Sequence, residues 1–375
     1  MSETDITYDA CLIVFNEISV DARALNMAET LAQNGKSVCI LAIADISEEE
    51  YFSKKGILLY SINKSNYKRM WRRWLDFSTQ TNKIKVKAST YWACDLYSLP
   101  IAISLKKQFK GKLIYDSREI FSALGPAAAS PLKQKVLTWL ELRWVAKVDE
   151  FIVSGDLDAD FLKKHFKTNK PFHIIMNLPP YKKAVESNFL REKFDLSQEK
   201  KIILYQGVVL EGRGLLPTVR ALKYYEEAML CIVGSGPFIK KIEEEAVVFG
   251  VSDRVLFTGQ IPYNQLHEVT SSADLGLCFI EPISFSYELA LPNKLFEYAM
   301  ARIPVLASDL PAMKRIIGEE KIGIAIPTSS SPEEIALALK DLCSEKYSSS
   351  FIAACNKSAI KYSYNTQENL ILSLV

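Results

Sequence analysis

The chain has 375 residues, of which 49% are apolar and 24% charged, with a formal net charge of +2. That is the composition of a globular protein long enough for two domains with a core each, not of a disordered or fibrous one. So small a charge gives no reason to expect nucleic acid as a partner.

The opening MSETDITYDACLIVFNE has neither a basic start nor a long apolar run, so no secretory leader is expected. CLIVF (11–15) reads as a buried strand. ARALNMAETLAQNG (22–35) has helical spacing and stops on a glycine, and SVCILAIA (37–44) is the next strand. KSNYKRMWRRW (64–74) breaks the rhythm. On a helix, Tyr67, Met70, Trp71 and Trp74 would form one stripe opposite Lys64, Lys68, Arg69, Arg72 and Arg73. Such a stripe faces a core, or else lies on an anionic membrane surface with its aromatic residues as anchors. KLIYD (112–116), EFIVSG (150–155) and FHIIMN (172–177) read as later strands of the same sheet.

Periodicity then lapses through NLPPYKKAVESNF, which places a domain boundary near 178–195. Beyond it KIILYQG (201–207), AMLCIVGSG (228–236), RVLFTG (254–259), LGLCFI (275–280) and IPVLAS (303–308) read as strands. Helices are expected in LLPTVRALKYY (215–225) and PEEIALALKDLC (332–343). The expected fold class is α/β, with two doubly wound, Rossmann-like domains, 1–180 and 195–357, facing a cleft. A C-terminal helix, about 358–375, is expected to return to the first domain. Ligands of such sheets bind beyond the carboxyl ends of the strands, where the strand order reverses.

No run of roughly 18 apolar residues would span a membrane. The seven cysteines are scattered without a CxxC pair, which suits a reducing cytosol. With three histidines and no HxH or DxD cluster, no catalytic metal is expected.

In LPNKLFE (291–297) a helix starting after Pro292 leaves its first N–H groups unpaired and its dipole favours an anion. Lys294 sits in that first turn and Glu297 lies on the same face, suitably placed to accept from ribose hydroxyls. The plainer alternative is a capped helix with a Lys294–Glu297 surface pair. In VVLEGRGL, Gly212 and Gly214 flank Arg213, where close backbone approach and a guanidinium would suit a diphosphate. GSGP (234–237) is one more glycine-marked turn after a strand, without the third glycine of a dinucleotide fingerprint. One anionic ligand accounts for all three turns.

LPNKLFEYAMARIPVLAS, YQGVVLEGRGL, LCIVGSGP, RVLFTGQIPYNQL and SSADLGL follow one another in the order found in GT4-type glycosyltransferases of GT-B fold. NEISVDARALNMAETLAQNGKSV, ACDLYSLPIA and LIYDSRE resemble that family's acceptor domain. The resemblance implies a retaining transferase that moves a sugar from a nucleoside-diphosphate donor, without a metal or other cofactor, to a saccharide or lipid-linked saccharide. Cell-surface polysaccharide synthesis is the implied setting, cytoplasmic, with peripheral contact to the membrane's inner face through 64–74.

Carried over by position, the resemblance gives Glu297 the donor ribose and Asn293 and Lys294 the phosphates. Arg213 is left to neutralise the leaving diphosphate, and Gly207, Gly212 and Gly236 to line the donor site. Two departures stand out. The family's arginine after the first glycine is here Val208. The first glutamate of the E-x7-E motif falls on Leu289, so that Glu288 is the nearest acid to contact the sugar. On the acceptor side the resemblance points to Asp21, Arg23, Asp95, Arg118 and Glu119. Arg118 stands where many relatives have a sugar-contacting histidine, and an ion pair with a neighbouring carboxylate is the alternative. Two rival functions fit the same fold: a nucleotide-sugar epimerase, and a non-catalytic scaffold of a polysaccharide-assembly complex.

Overall fold

A computed structural model of the chain describes residues 6–118, 131–345 and 348–375. Its strands, in chain order, are β1 Thr7–Glu17, β2 Val38–Ile43, β3 Ile57–Ile62, β4 Lys87–Ala93, β5 Lys112–Ser117, β6 Glu150–Val153 and β7 Phe172–Ile174. A second set follows: β8 Lys201–Gln206, β9 Ala228–Val233, β10 Val255–Gly259, β11 Leu275–Cys278, β12 Val305–Ser308 and β13 Gly323–Ile326. The first sheet runs β3-β2-β1-β4-β5-β6-β7 and the second β10-β9-β8-β11-β12-β13. The recorded pairings are all parallel. Helices on both faces explain why central strands such as VCILAI and AMLCIV are buried along their whole length.

The chain forms two compact units, Met1–Asn177 with Gln367–Val375, and Leu178–Thr366. The segment expected to return as one helix is divided. Helix Ser349–Lys361 stays with the second unit, and helix Glu368–Ser373 packs on helix Ala22–Gln33 of the first. Gln367 ties that return in place, its Oε1 accepting from Met176 N at 2.6 Å and its Nε2 donating to Met176 O at 3.1 Å.

The expected stripe over 64–74 requires correction. The helix spans Met70–Thr81, and Tyr67 precedes it in irregular chain. Met70 and Trp71 are exposed, and Phe77 and Thr81 are the residues it buries. Three strands had no clear sequence signal. β3 is an edge strand with mixed burial, β4 begins on Lys87-Ala88-Ser89-Thr90, where alanine is the one apolar residue, and β13 is four residues long.

Candidate functional site

Each sheet reverses its strand order once, the first between β1 and β4 and the second between β8 and β11. In the second unit β8 and β11 pair only at Leu275–Ile203 and Gly276–Leu204 before they part. Tyr298 closes the gap. Its hydroxyl donates to Leu204 O at 3.1 Å and lies 3.3 Å from Leu277 O, and it accepts from Gln206 N at 3.3 Å. Gly276 makes room for the ring, which a Cβ there would strike. Tyr298 belongs to helix Asn293–Met300, so one buried hydroxyl fixes that helix against the carboxyl ends of both strands.

The helix N-terminus follows Pro292, and no side chain caps its first turn. Lys294 is 8% exposed, and its ammonium lies 3.8 Å from the centre of the Tyr205 ring. Burial lowers its pKa to about 8, and the charge of Arg213 adds to that lowering. The Arg213 guanidinium lies 4.7 Å from the centre of the Tyr287 ring, with its Nε buried and without a hydrogen-bond partner. Among the described residues neither cation forms an ion pair, so two mutually repelling cations rest on aromatic faces beside a bare helix N-terminus. The site is poised for an anion.

Glu297 does not form the surface pair with Lys294 that is the plainer alternative. Its Oε2 accepts from Gln206 Nε2 at 2.5 Å, and Gln206 Oε1 accepts from Thr270 Oγ1 at 2.8 Å. Burial raises the Glu297 pKa, against the Gln206 hydrogen bond and the charges of Lys182 and Lys294. The carboxylate lines a recess with Pro179, Lys182, Tyr263, His267 and Thr270.

The glycines have structural reasons for being there. Gly212 and Gly214 have φ of +76° and +69°, and side chains there would meet Ile283 or Phe279. A Cβ on Gly236 would run into the Val209 carbonyl. Gly207 N donates to Val233 O at 2.9 Å and Val209 N to Ser235 O at 2.9 Å, so the two strand-end turns are laced together. Asn293 opens the helix, and Glu288 lies exposed at the end of the short helix Phe285–Glu288, its carboxylate without a partner among the described residues.

In the first unit four of the candidate residues stand at the β1–β4 reversal or beside it. Arg23 pairs with Asp116 through Nε and Nη2, both at 2.9 Å, and donates from Nη1 to Ile175 O at 2.7 Å. Arg118 reaches both oxygens of Asp21 at 2.7 and 2.6 Å, and Asp116 at 3.0 Å. Asp21 also caps helix Ala22–Gln33 through Ala24 N. Burial would raise the Asp116 carboxyl, but Arg23 and then Arg118 more than offset it and hold it below the usual range. For Arg118 the ion-pair alternative is therefore the observed arrangement, although its buried Nη2 has no partner. Asp95 accepts from Phe15 N at 2.9 Å and Ser98 N at 2.7 Å, shaping the turn before helix Leu99–Phe109. Glu119 lies outside the described residues.

Sequence reasoning missed Tyr205, Gln206, Thr270, Tyr287 and Tyr298. A signal exists only for Tyr205 and Gln206, which directly precede the first glycine turn.

Residues 186–364 match the family model described as glycosyl transferases group 1. The chain is 21% identical over 189 residues to the putative teichuronic acid biosynthesis glycosyltransferase TuaC of Bacillus subtilis (strain 168), covering 47% of this chain and 45% of that protein. It is 27% identical over 149 residues to alpha-D-kanosaminyltransferase of Streptomyces kanamyceticus, covering 38% and 36%. Each alignment thus spans less than half of the relative's length. Anabaena HepE, solved in complex with UDP and glucose, superposes with a TM-score of 0.75 over 98% of this chain and 99% of that one at 13% identity, a likeness of fold. Residues 186–364, just under half of the chain, are thus similar to the glycosyl transferases group 1 family, and the two parallel sheets with flanking helices have the GT-B fold.

Proposed function

We propose that the chain is a retaining glycosyltransferase that moves a sugar from a nucleoside-diphosphate donor to a saccharide or lipid-linked saccharide of a cell-surface polysaccharide. The observation that carries this reading is the pair Arg213 and Lys294, a half-buried and a buried cation without a carboxylate partner among the described residues. A diphosphate supplies the missing negative charge, and it gains more of it as the glycosidic bond breaks. Cations already in place stabilise that departure without reorganising. In the transfer, the acceptor oxygen bonds to the anomeric carbon, the bond from that carbon to the diphosphate oxygen breaks, and the acceptor proton passes to the departing diphosphate. Glu297, steadied by Gln206, receives the ribose hydroxyls.

Two comparisons support the reading: HepE was solved with UDP and glucose, and TuaC is named for teichuronic acid biosynthesis. No described helix is long and apolar enough to cross a membrane. We place the enzyme in the cytoplasm, peripheral on the inner face of the membrane.

Thermal stabilisation by UDP, GDP, ADP, dTDP and CMP, and by their sugars, tests the donor site. A ligand at about 100 times its Kd adds roughly 2.7 kcal/mol. One base responds in the native chain and its effect is lost in Arg213→Ala, while transfer is lost in both Arg213→Ala and Glu297→Ala. No response to any nucleotide, or full transfer by both variants, refutes the proposal.

A further inference from the structure

The aromatic and basic segment near residue 70 is not used by the donor site, and it does not stand alone. Helix Met70–Thr81 and helix Pro131–Val145 flank a groove of about 940 Å³. Its lining includes Met70, Trp71, Trp74, Leu137, Leu140 and Trp144, with Leu96 and Tyr97 also contributing. Trp74 donates its indole N–H to Tyr97 O at 2.8 Å, so the groove receives its ring and not an unsatisfied donor. Of its lining residues Trp71 is 54% exposed and Val136 49%. Exposed aromatic and aliphatic side chains grouped in this way mark a binding surface.

The charged side chain among those lining the groove is that of Arg69. Arg72 lies 5.1 Å from the Trp71 ring centre, and Arg143 lies 5.6 Å from that of Trp139. Among the described residues Arg69, Arg72, Arg73 and Arg143 form no salt bridge. An apolar channel lined by Arg69, with Arg72 beside its Trp71, suits one hydrocarbon chain carrying an anionic phosphate head.

We propose that this groove binds the hydrocarbon chain of a lipid-linked acceptor, with the arginines holding the phosphate to which that chain is attached. The inference rests on the transferase reading and deepens it by naming the acceptor class. Three of the five tryptophans line the groove, so the protein carries its own reporter.

Dodecyl phosphate, kept below its micelle concentration, is titrated into the full chain while tryptophan emission is followed. Octyl phosphate, inorganic phosphate, dodecyl maltoside and vesicles of equal parts phosphatidylglycerol and phosphatidylcholine are titrated in parallel. Dodecyl phosphate is expected to give a saturable blue shift, and its affinity falls about fourfold for each methylene removed. Trp71→Ala and Val136→Glu, at exposed positions where folding tolerates change, weaken it at least about tenfold. Phosphate alone gives no shift, and the neutral maltoside binds more weakly. The proposal is overturned if the phosphate fails to saturate, if both variants bind as tightly as the native chain, if the maltoside binds equally well, or if only vesicles bind. A nucleotide response without alkyl phosphate binding removes this proposal alone. Alkyl phosphate binding without any nucleotide response removes the transferase reading.

Discussion

Lys294 shows what the chain gives up to keep a charge where the proposed diphosphate would need it. The fall in its pKa from 10.5 to about 8 is a penalty of about 3 kcal/mol on holding the proton in the folded chain. Below pH 8 the folded chain carries that penalty in full. Between pH 8 and about 10.5 the unfolded chain holds the proton that the folded one has released, so stability rises with pH in this window. Lys294→Met is therefore expected to raise the stability of the ligand-free protein at pH 7, by up to about 3 kcal/mol. The gain should shrink toward zero near pH 10.5. The same variant should weaken binding of the responding nucleoside diphosphate by about tenfold or more, because a charged hydrogen bond is lost. Native affinity should itself decline as pH rises through 8. Denaturant melts at pH 7 and at high pH, with nucleotide titrations, check all three. A variant less stable than the native chain at pH 7 would mean that Lys294 is already neutralised within the protein.

The elements around that lysine are held by contacts that no local pattern announces. Tyr298 lies in a helix of ordinary apolar spacing, yet its hydroxyl joins two strands that have stopped pairing with each other. Tyr298→Phe removes the bridge and leaves Leu204 O short of a donor and Gln206 N short of an acceptor, at a cost of about 1–3 kcal/mol. Because the same helix carries Lys294 and Glu297, nucleotide affinity should fall although no ligand contact is deleted. A melt and a titration on one preparation separate these effects. Glycines likewise divide by what lies next to them. Gly234 has φ of +141° and faces the Gly207 carbonyl, whereas Gly318, in helix Pro311–Glu320, has nothing within 4 Å. Gly234→Ala should cost more than about 1 kcal/mol, and Gly318→Ala should gain about 0.5–1 kcal/mol. Strands with buried runs were legible for the same physical reason that they are central: parallel strands covered on both faces must be apolar throughout. β3, at an edge, and β13, with four residues, carry no such run. Around the site, LPNKLFE and EGRGL pointed to Lys294 and Arg213, while Gln206, Thr270 and the Asp21 partner of Arg118 depend on contacts 64 to 97 residues apart.

At the scale of the whole chain, the last nine residues belong to the first unit although the preceding ones belong to the second. Ile371 and Leu374 are 0% and 1% exposed, and Gln367 satisfies both backbone groups of Met176. Burying two such side chains contributes about 3–6 kcal/mol, and two hydrogen bonds add about 1–3 kcal/mol. The tail is thus a structural part of a unit whose other residues lie far away in sequence. All five tryptophans (Trp71, Trp74, Trp92, Trp139 and Trp144) lie in that same unit. Ending the chain after Thr366 should lower the transition followed by tryptophan emission by roughly 10 °C or more, at about 2–4 °C per kcal/mol. Leu374→Ser should produce part of that shift. Added nucleotide reads the second unit separately: the residues proposed to hold the donor, Arg213, Lys294 and Glu297, all lie within Leu178–Thr366, so the shortened chain should bind nucleotide with unchanged affinity. Unchanged emission melting in the truncated protein would show that the tail is dispensable to the first sheet. Lost nucleotide affinity would show that the last nine residues also act on the proposed donor site.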